Sequence, residues 1–383
     1  MKKPPLSSEE FKRPSLLTDA NLDDLLIYSF DIGKGTVQGF SSDFRKIITF
    51  EPVMAPLTNK RSLALDTSEE SKKPRFSLRE NGQVSVFGVQ DVIEHGKYGM
   101  RRRLSSLDIY LSEDYYRMFK VMLFQAFKKY AGNSDWIRPS GAISVPVVIY
   151  DNDEIMGHIK DAIIGKHEIT DAEGCTLRVE ITESRFLIVP EGRGAAEQRC
   201  YDPATLQRRE DVSSAGSTII VDAGYETVNE TLFHGMKYIR DISYTFERAG
   251  FGVIVRAIHA WAADQLKGVD DSRIDIGLRA IAGIPLGREK YIEIAQGVSI
   301  DVQPIYDVEI VNFADRLAQD IATRFADVAA NRIGLSGGTA HHILPYLTRE
   351  NTGWDVEVVP NPEVANALGL MTKLFRQATK NNE

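Results

Sequence analysis

An apolar strand that delivers an aspartate, turns on glycine and runs straight into a second strand occurs twice in this chain. The first copy is "IYSFDIGKGTVQGF", residues 27–40, with Asp31 and glycines at 33, 35 and 39. The second is "TIIVDAGYETVNETLF", residues 218–233, with Asp222 and Gly224. The first comes close to the G-x-G-x-x-G dinucleotide fingerprint, but that motif needs a helix after its glycines, and here a strand follows. There is no G-x-x-x-x-G-K-[ST] loop either. A glycine turn lets backbone amides approach a ligand closely. An aspartate beside a polyphosphate is repulsive at low effective dielectric unless a cation stands between them. Mg²⁺ suits that place, because it keeps several waters and takes a few carboxylates together with phosphate oxygens. The repeat therefore predicts two similar lobes whose hairpins face each other across a cleft. The turn amides would hold the β- and γ-phosphates, and Asp31 and Asp222 a hydrated metal. One Asp-x-Gly is commonplace in β-turns, and the repeat by itself is also compatible with two unrelated turns.

A third segment narrows the reading. "NRIGLSGGTAHHI" brings a short strand to Ser336-Gly337-Gly338 and then to a helix. Paired glycines let adenine or ribose lie against the backbone, and a helix N-terminus favours phosphate oxygens. Alone, such a turn is more often a helix boundary than a site. Behind two Asp-x-Gly hairpins it reads as the third wall of a nucleotide cleft.

Composition removes several alternatives. The 383 residues exceed one ordinary core and suit two domains, and 43% hydrophobic with 26% charged residues is a soluble globular balance. No apolar run approaches a membrane span, and Met1 to Asp24 lacks a signal-peptide core. The net charge of −8 argues against direct nucleic-acid binding. Arg101-Arg102-Arg103 reads as a solvated loop, and His341-His342 as surface or packing residues, since neighbours on a helix point apart. Cys175 and Cys200 fit neither a disulfide framework nor a metal site, so a reducing cytoplasm is expected.

Along the chain, residues 1–24 read as an extension, 25–210 as lobe I with 51–100 as a small subdomain, 211–350 as lobe II, and 351–383 as a segment returning to lobe I. Strands are expected at "LLIYSFDIG", "TVQGF", "KIITF", "QVSVFG", "GAISVPVVIY" (141–150), "RFLIVPEG" and 217–233. Helices are expected at 112–132 behind a Ser112 cap, at 153–165, 250–268 and 313–334, and from an Asn361 cap with Pro362 at the first helical position. The helix at 313–334 would carry Leu317, Ile321, Phe325 and Val328 on one stripe. Residues 191–217, rich in Gly, Arg and Ser, read as the lobe junction. Strands and helices interleave, so the class is α/β.

In this order the three glycine-bearing segments resemble the actin superfamily: actin, bacterial actin-like filament proteins, heat-shock chaperone ATPases and sugar kinases. Asp31-Ile-Gly-Lys-Gly looks like its first phosphate loop, Asp222-Ala-Gly-Tyr-Glu-Thr227 like the second, and Gly334-Leu-Ser-Gly-Gly338 like the adenosine loop. Within it the chain resembles the plasmid-segregation actins of the ParM type and their archaeal relatives, on "SEDYYRMFKVMLFQAF", "IVPEG" at 188–192 and "NPEVANALGL" at 361–370.

The resemblance implies an actin-like two-lobed ATPase, with duplicated ribonuclease-H-like domains around a nucleotide cleft. It implies ATP or ADP with Mg²⁺, self-association into polar filaments that disassemble after hydrolysis, and an adaptor protein linking them to plasmid DNA. Gly33, Lys34, Gly35 and Thr36, then Gly224, Tyr225 and Thr227, then Ser336, Gly337 and Gly338, take the nucleotide-binding places. In the segregation family a glutamate after a V-x-P turn positions the attacking water, and Glu191 matches it; Asp31 and Asp222 complete the catalytic set. Three departures stand out. Lys34 replaces a small hydroxyl residue, Asn229 stands where an aspartate is usual, and Tyr225-Glu226 is bulky for a phosphate turn. The competing readings are a monomeric sugar or acetate kinase, which lacks a clear base for an acceptor hydroxyl; a chaperone-like ATPase, for which the chain leaves no peptide-binding domain; and a scaffold that binds nucleotide without hydrolysing it.

Overall fold

Gly33 and Gly35 let the chain double back after Asp31, and the strand it returns along sets the pattern of the first lobe. In the computed structural model, residues 25–33, 35–42, 47–57, 74–88, 91–92, 102–103, 107–209, 216–265, 291–295 and 298–380 are described. The expectations for residues 1–24 and for Lys34 lie outside these.

The first lobe contains β1 (Ile27–Ile32), β2 (Val37–Ser41), β3 (Ile48–Phe50), β4 (Val53–Pro56), β5 (Ser77–Glu80), β6 (Gln83–Phe87), β7 (Arg102–Arg103), β8 (Ser140–Val145), β9 (Gly165–Thr170), β10 (Thr176–Ile181) and β11 (Phe186–Pro190). Its main sheet has the order β3-β2-β1-β8-β11. The β1–β2 and β2–β3 pairs are antiparallel, whereas β1–β8 and β8–β11 are parallel. A six-stranded sheet, β10-β9-β5-β6-β4-β7, joins the 53–103 region to strands from 165–181.

The second lobe adds β12 (Ser217–Ala223), β13 (Thr227–His234), β14 (Lys237–Glu247), β15 (Tyr291–Ala295), β16 (Val298–Asp301), β17 (Ala330–Ser336) and β18 (Val356–Val358). Its five-stranded sheet runs β14-β13-β12-β17-β18. The senses of pairing repeat those of the first lobe strand for strand, so β12 is the counterpart of β1 and β17 of β8. The duplication expected from the repeat is present, as two mixed five-stranded sheets.

Helices cover these sheets. α1 (Glu113–Ala126) starts where the Ser112 hydroxyl accepts the Tyr115 N–H, and buries Tyr115, Met118, Phe119 and Met122 in one core with Phe30 and Ile143. Each such side chain contributes roughly 1.5–3 kcal/mol by leaving water. α2 (Arg193–Cys200) follows β11. α3 (Gly252–Gln265) and α4 (Gln303–Arg324) share the second lobe's core through Ile254, Ile258, Phe313, Leu317 and Ile321. β18 still belongs to the second lobe's sheet. The return to the first lobe comes with α5 (Ala365–Lys380), whose Leu368, Met371 and Phe375 pack with Ile27, Phe40 and Ala142.

Four expectations are corrected. "GAISVPVVIY" is not one strand: it ends at Val145, because Pro146 has no N–H for the ladder, and a helical turn, Val147–Tyr150, follows. The junction contains α2, whose Gly194 to Cys200 are all buried although Glu197, Gln198 and Arg199 are polar, so no apolar stripe marks it as a helix in the sequence. α4 begins at Gln303 and ends at Arg324, with Phe325 closing it; Val328 lies beyond it. Asn361 is left-handed (φ +51°) and makes no side-chain cap; a short 3₁₀ turn, Pro362–Val364, leads into α5.

Candidate functional site

The two aspartates end equivalent central strands, and each is held by a serine on the parallel neighbour. Asp31 pairs with Ser144 across β1–β8, and the Ser144 hydroxyl donates to Asp31 Oδ1 at 3.0 Å. Asp222 pairs with Ser336 across β12–β17, and the Ser336 hydroxyl donates to Asp222 Oδ1 at 2.8 Å. Asn366, in the first turn of α5, reaches both carboxylates. Its Nδ2 donates to Asp222 Oδ2 at 2.8 Å, and its Oδ1 accepts the Gly192 N–H at 3.0 Å. Burial pushes Asp31 up to about 7, and the charge of Asp222 pushes in the same direction, against the Ser144 and Asn366 hydrogen bonds. Burial raises Asp222 too, opposed by Ser336 and Asn366. Two carboxylates brought this close, one of them raising the other's proton affinity, are relieved by a cation placed between them. Hard oxygen ligands from two strands are also the donor set Mg²⁺ takes. The residues present fit the ion.

The hairpin turns meet. A Cβ added at Gly35 would stand 2.6 Å from Tyr225 Cβ, so the first turn lies directly against the second. In the second turn Gly224 N–H donates to Thr227 O at 2.9 Å. The carbonyls of Gly224, Tyr225 and Glu226 accept the N–H groups of Phe251, Gly252 and Gly250 at the start of α3, which fixes the turn. Thr227 is buried and Thr36 exposed. Gly39, the last glycine of the apparent fingerprint, serves the core instead. It pairs with Phe30, and a Cβ there would strike that ring and Met122.

The third segment wraps the end of β12. Gly337 is left-handed (φ +88°), and a Cβ on it would lie 2.9 Å from Asp222 Oδ1 and overlap the Ala223 carbonyl. The Thr339 hydroxyl donates to that carbonyl at 2.6 Å. Beside it Gly338 is open, with no atom within 4 Å of where its Cβ would stand. Ser336 and Gly337 thus brace Asp222, and Gly338 offers bare backbone.

Glu191 lies at the start of the junction, 7% exposed, and its N–H donates to Val145 O at 2.7 Å. Asn229 Nδ2 donates to its Oε2, and the Thr231 hydroxyl to its carbonyl at 2.9 Å. The Tyr110 hydroxyl is held well above its usual range by burial and then by Glu191, with Tyr115 and Asp31 adding to it. One buried tyrosine thus feels both Glu191 and Asp31. The buried Tyr115 hydroxyl has no hydrogen-bond partner among the described residues. Asp31, Asp222, Glu191 and the three glycine-bearing segments are therefore assembled at one place. Ser144, Asn366 and Tyr110 were not singled out in the sequence. Ser144 had a signal, since it occupies in β8 the place of Ser336 in β17; Asn366 and Tyr110 had none.

No protein-family model matches the chain, and no curated protein matches it. Solved structures do. The chain is similar to the apo psk41 ParM protein, with a TM-score of 0.64 and 13% identity over 94% of this chain and 100% of that one. It is similar to an archaeal actin homolog in complex with ADP, with a TM-score of 0.67 and 16% identity over 93% and 100%. It is also similar to the subunit of a 15-stranded ParM filament from Clostridium botulinum, with a TM-score of 0.67 and 15% identity over 92% and 99%. These likenesses run the length of both chains, through both repeated sheets, and at such identities what they share is architecture. The chain has the actin-like fold, with the two aspartate-tipped hairpins at the meeting point of its lobes.

Proposed function

We propose that this protein is a filament-forming ATPase that hydrolyses ATP after assembly, and that it serves to segregate plasmid DNA or to position cargo within the cytoplasm. The observation that carries this reading is the convergence of Asp31 and Asp222, from equivalent strands of two equivalent sheets, beside the buried Glu191. The likeness to an ADP complex and to a filament subunit supports it.

Phosphoryl transfer to water asks a protein mainly for positioning and charge stabilisation. Asp31 and Asp222 would hold Mg²⁺, which would screen the charge of the phosphates. The backbone of Gly33, Gly35 and Thr36 on one side, and of Gly224, Tyr225 and Thr227 on the other, would hold the β- and γ-phosphates, with Lys34 adding a point charge. Ser336, Gly337 and Gly338 would give the adenosine a flat wall. A carboxylate oxygen of Glu191 would orient the attacking water and accept its proton. Filament subunits would be copies of this chain, and an adaptor protein would make the link to DNA, since a net charge of −8 does not favour direct nucleic-acid binding. Among the described residues no helix is long and apolar enough to cross a membrane.

The test is to add ATP and Mg²⁺ to the purified protein and follow light scattering together with phosphate release. Scattering should rise first and phosphate follow. Phosphate release without assembly at any concentration would point to a monomeric kinase-like enzyme instead, and assembly without release to a scaffold.

A further inference from the structure

Asn229 of β13 is fully buried, and its side chain makes three hydrogen bonds. Oδ1 accepts the Val147 backbone N–H at 3.2 Å and the Thr245 hydroxyl at 2.6 Å, while Nδ2 donates to Glu191 Oε2. The direction of the amide is dictated by its partners: a backbone N–H can only donate and a carboxylate accepts, so the oxygen must face Val147 and the nitrogen Glu191. Thr245 is the cross-strand partner of Asn229 in the second lobe. Val147 and Glu191 belong to the first, at the ends of β8 and β11. One side chain therefore ties the carboxylate of one lobe to the sheet of the other.

An aspartate here would keep both accepted bonds. It would lose the donor to Glu191 and face that residue with a second carboxylate in a buried place. The amide is thus matched to the acid it touches. We propose that Asn229 is a positioning residue for hydrolysis: it aims the Glu191 carboxylate and makes that aim depend on the lobes standing together as they do here. This rests on the water-positioning role of Glu191 proposed above.

Asn229→Asp isolates the third bond. In the full chain with ATP and Mg²⁺ it should slow phosphate release about tenfold or more, as loss of alignment does, while affinity for a fluorescent ATP analogue stays within about threefold. In a Glu191→Ala background the same substitution should slow release no further, because residues that act as a unit are not additive. Combining Asn229→Asp with Glu191→Gln restores a donor–acceptor pair of reversed polarity. That protein should regain the thermal midpoint lost by Asn229→Asp and remain slow, because the carboxylate now sits on the wrong lobe. If Asn229→Asp alone does not fold, Asn229→Ser, too short to reach Glu191, takes its place in both backgrounds. Release at the original rate in either single variant, or equal slowing with and without Glu191, overturns the proposal. Normal release by Glu191→Ala overturns the role of Glu191, and this proposal with it; failure confined to the Asn229 arms leaves that role standing.

Discussion

Asp222, buried, has its two oxygens committed to Ser336 and Asn366, and the half-buried Asp31 leans on Ser144, so neither carboxylate stands alone. Removing one should therefore matter to ligand more than to fold. Asp222→Ala is expected to abolish hydrolysis and weaken Mg-ATP binding, read by calorimetry with and without the metal. Glu191→Ala should leave binding intact and slow phosphate release by a factor on the order of 10²–10⁴, so that filaments persist. Glu230 offers a check that involves no ligand. It is fully buried on β13, with Arg324 Nε 3.2 Å from Oε2 but not aimed at it, and neither oxygen accepts a hydrogen bond from the described residues. Burial pushes its pKa up to about 8, with Arg324 pulling it down and Asp320 pushing it up. Between its ordinary value of 4.5 and about 8, the folded protein then holds a proton that the unfolded chain has released. Stability contributed by this group is complete at low pH and is lost as pH rises across that window. Glu230→Gln should raise the thermal midpoint at alkaline pH and change it little at acid pH; an equal change at both would refute the shift.

α2 and α5 cross with their backbones in contact. A Cβ on Gly369 would overlap the Gly194 carbonyl oxygen, and one on Gly194 would overlap Asn366. Around the crossing, the buried Glu197 pairs with Arg193 at 2.8 Å and Arg376 at 3.0 Å. This contact sets both ends of the site, since α2 begins just after Glu191 and α5 carries Asn366. Gly369→Ala has no flexible neighbour to displace, and should cost about 1–3 kcal/mol or more in chemical denaturation. A loss below about 0.5 kcal/mol, the range of a neutral surface change, would mean that the helices do not cross this closely.

The lobes meet at the site and also where the Tyr238 hydroxyl donates to Asp151 Oδ2 at 2.9 Å. A ligand gripped by both lobes binds the folded protein and not the unfolded chain, so it stabilises by mass action, about 2.7 kcal/mol at a hundred times its Kd. ATP with Mg²⁺ should accordingly raise the thermal midpoint by a few degrees. Chelating the metal should remove most of that gain, and Asp222→Ala should reduce it in step with its weakened binding. A full shift in the presence of EDTA would argue against Asp31 and Asp222 as metal ligands.

The duplicated hairpins could be read from the chain because their signals are local. An apolar run, an aspartate, a glycine and a second strand lie within a dozen residues, and the copy at Asp222 makes the pattern informative. The Ser112 cap and the buried stripe of α1 are legible for the same reason. α2 was missed because periodicity reports one-sided burial, and this helix is buried on every side. The Asn366–Asp222 and Asn229–Glu191 bonds were illegible for a different reason. Each is a pairing of residues far apart in sequence, created by strand register or helix crossing, and no local preference marks its members. Sequence alone thus set the ends of two strands and the chemistry of the acids placed there. Which hydroxyl steadies each acid, which amide aims Glu191 and how closely the lobes approach were settled by packing, because those contacts exist only once the sheets and helices have come together.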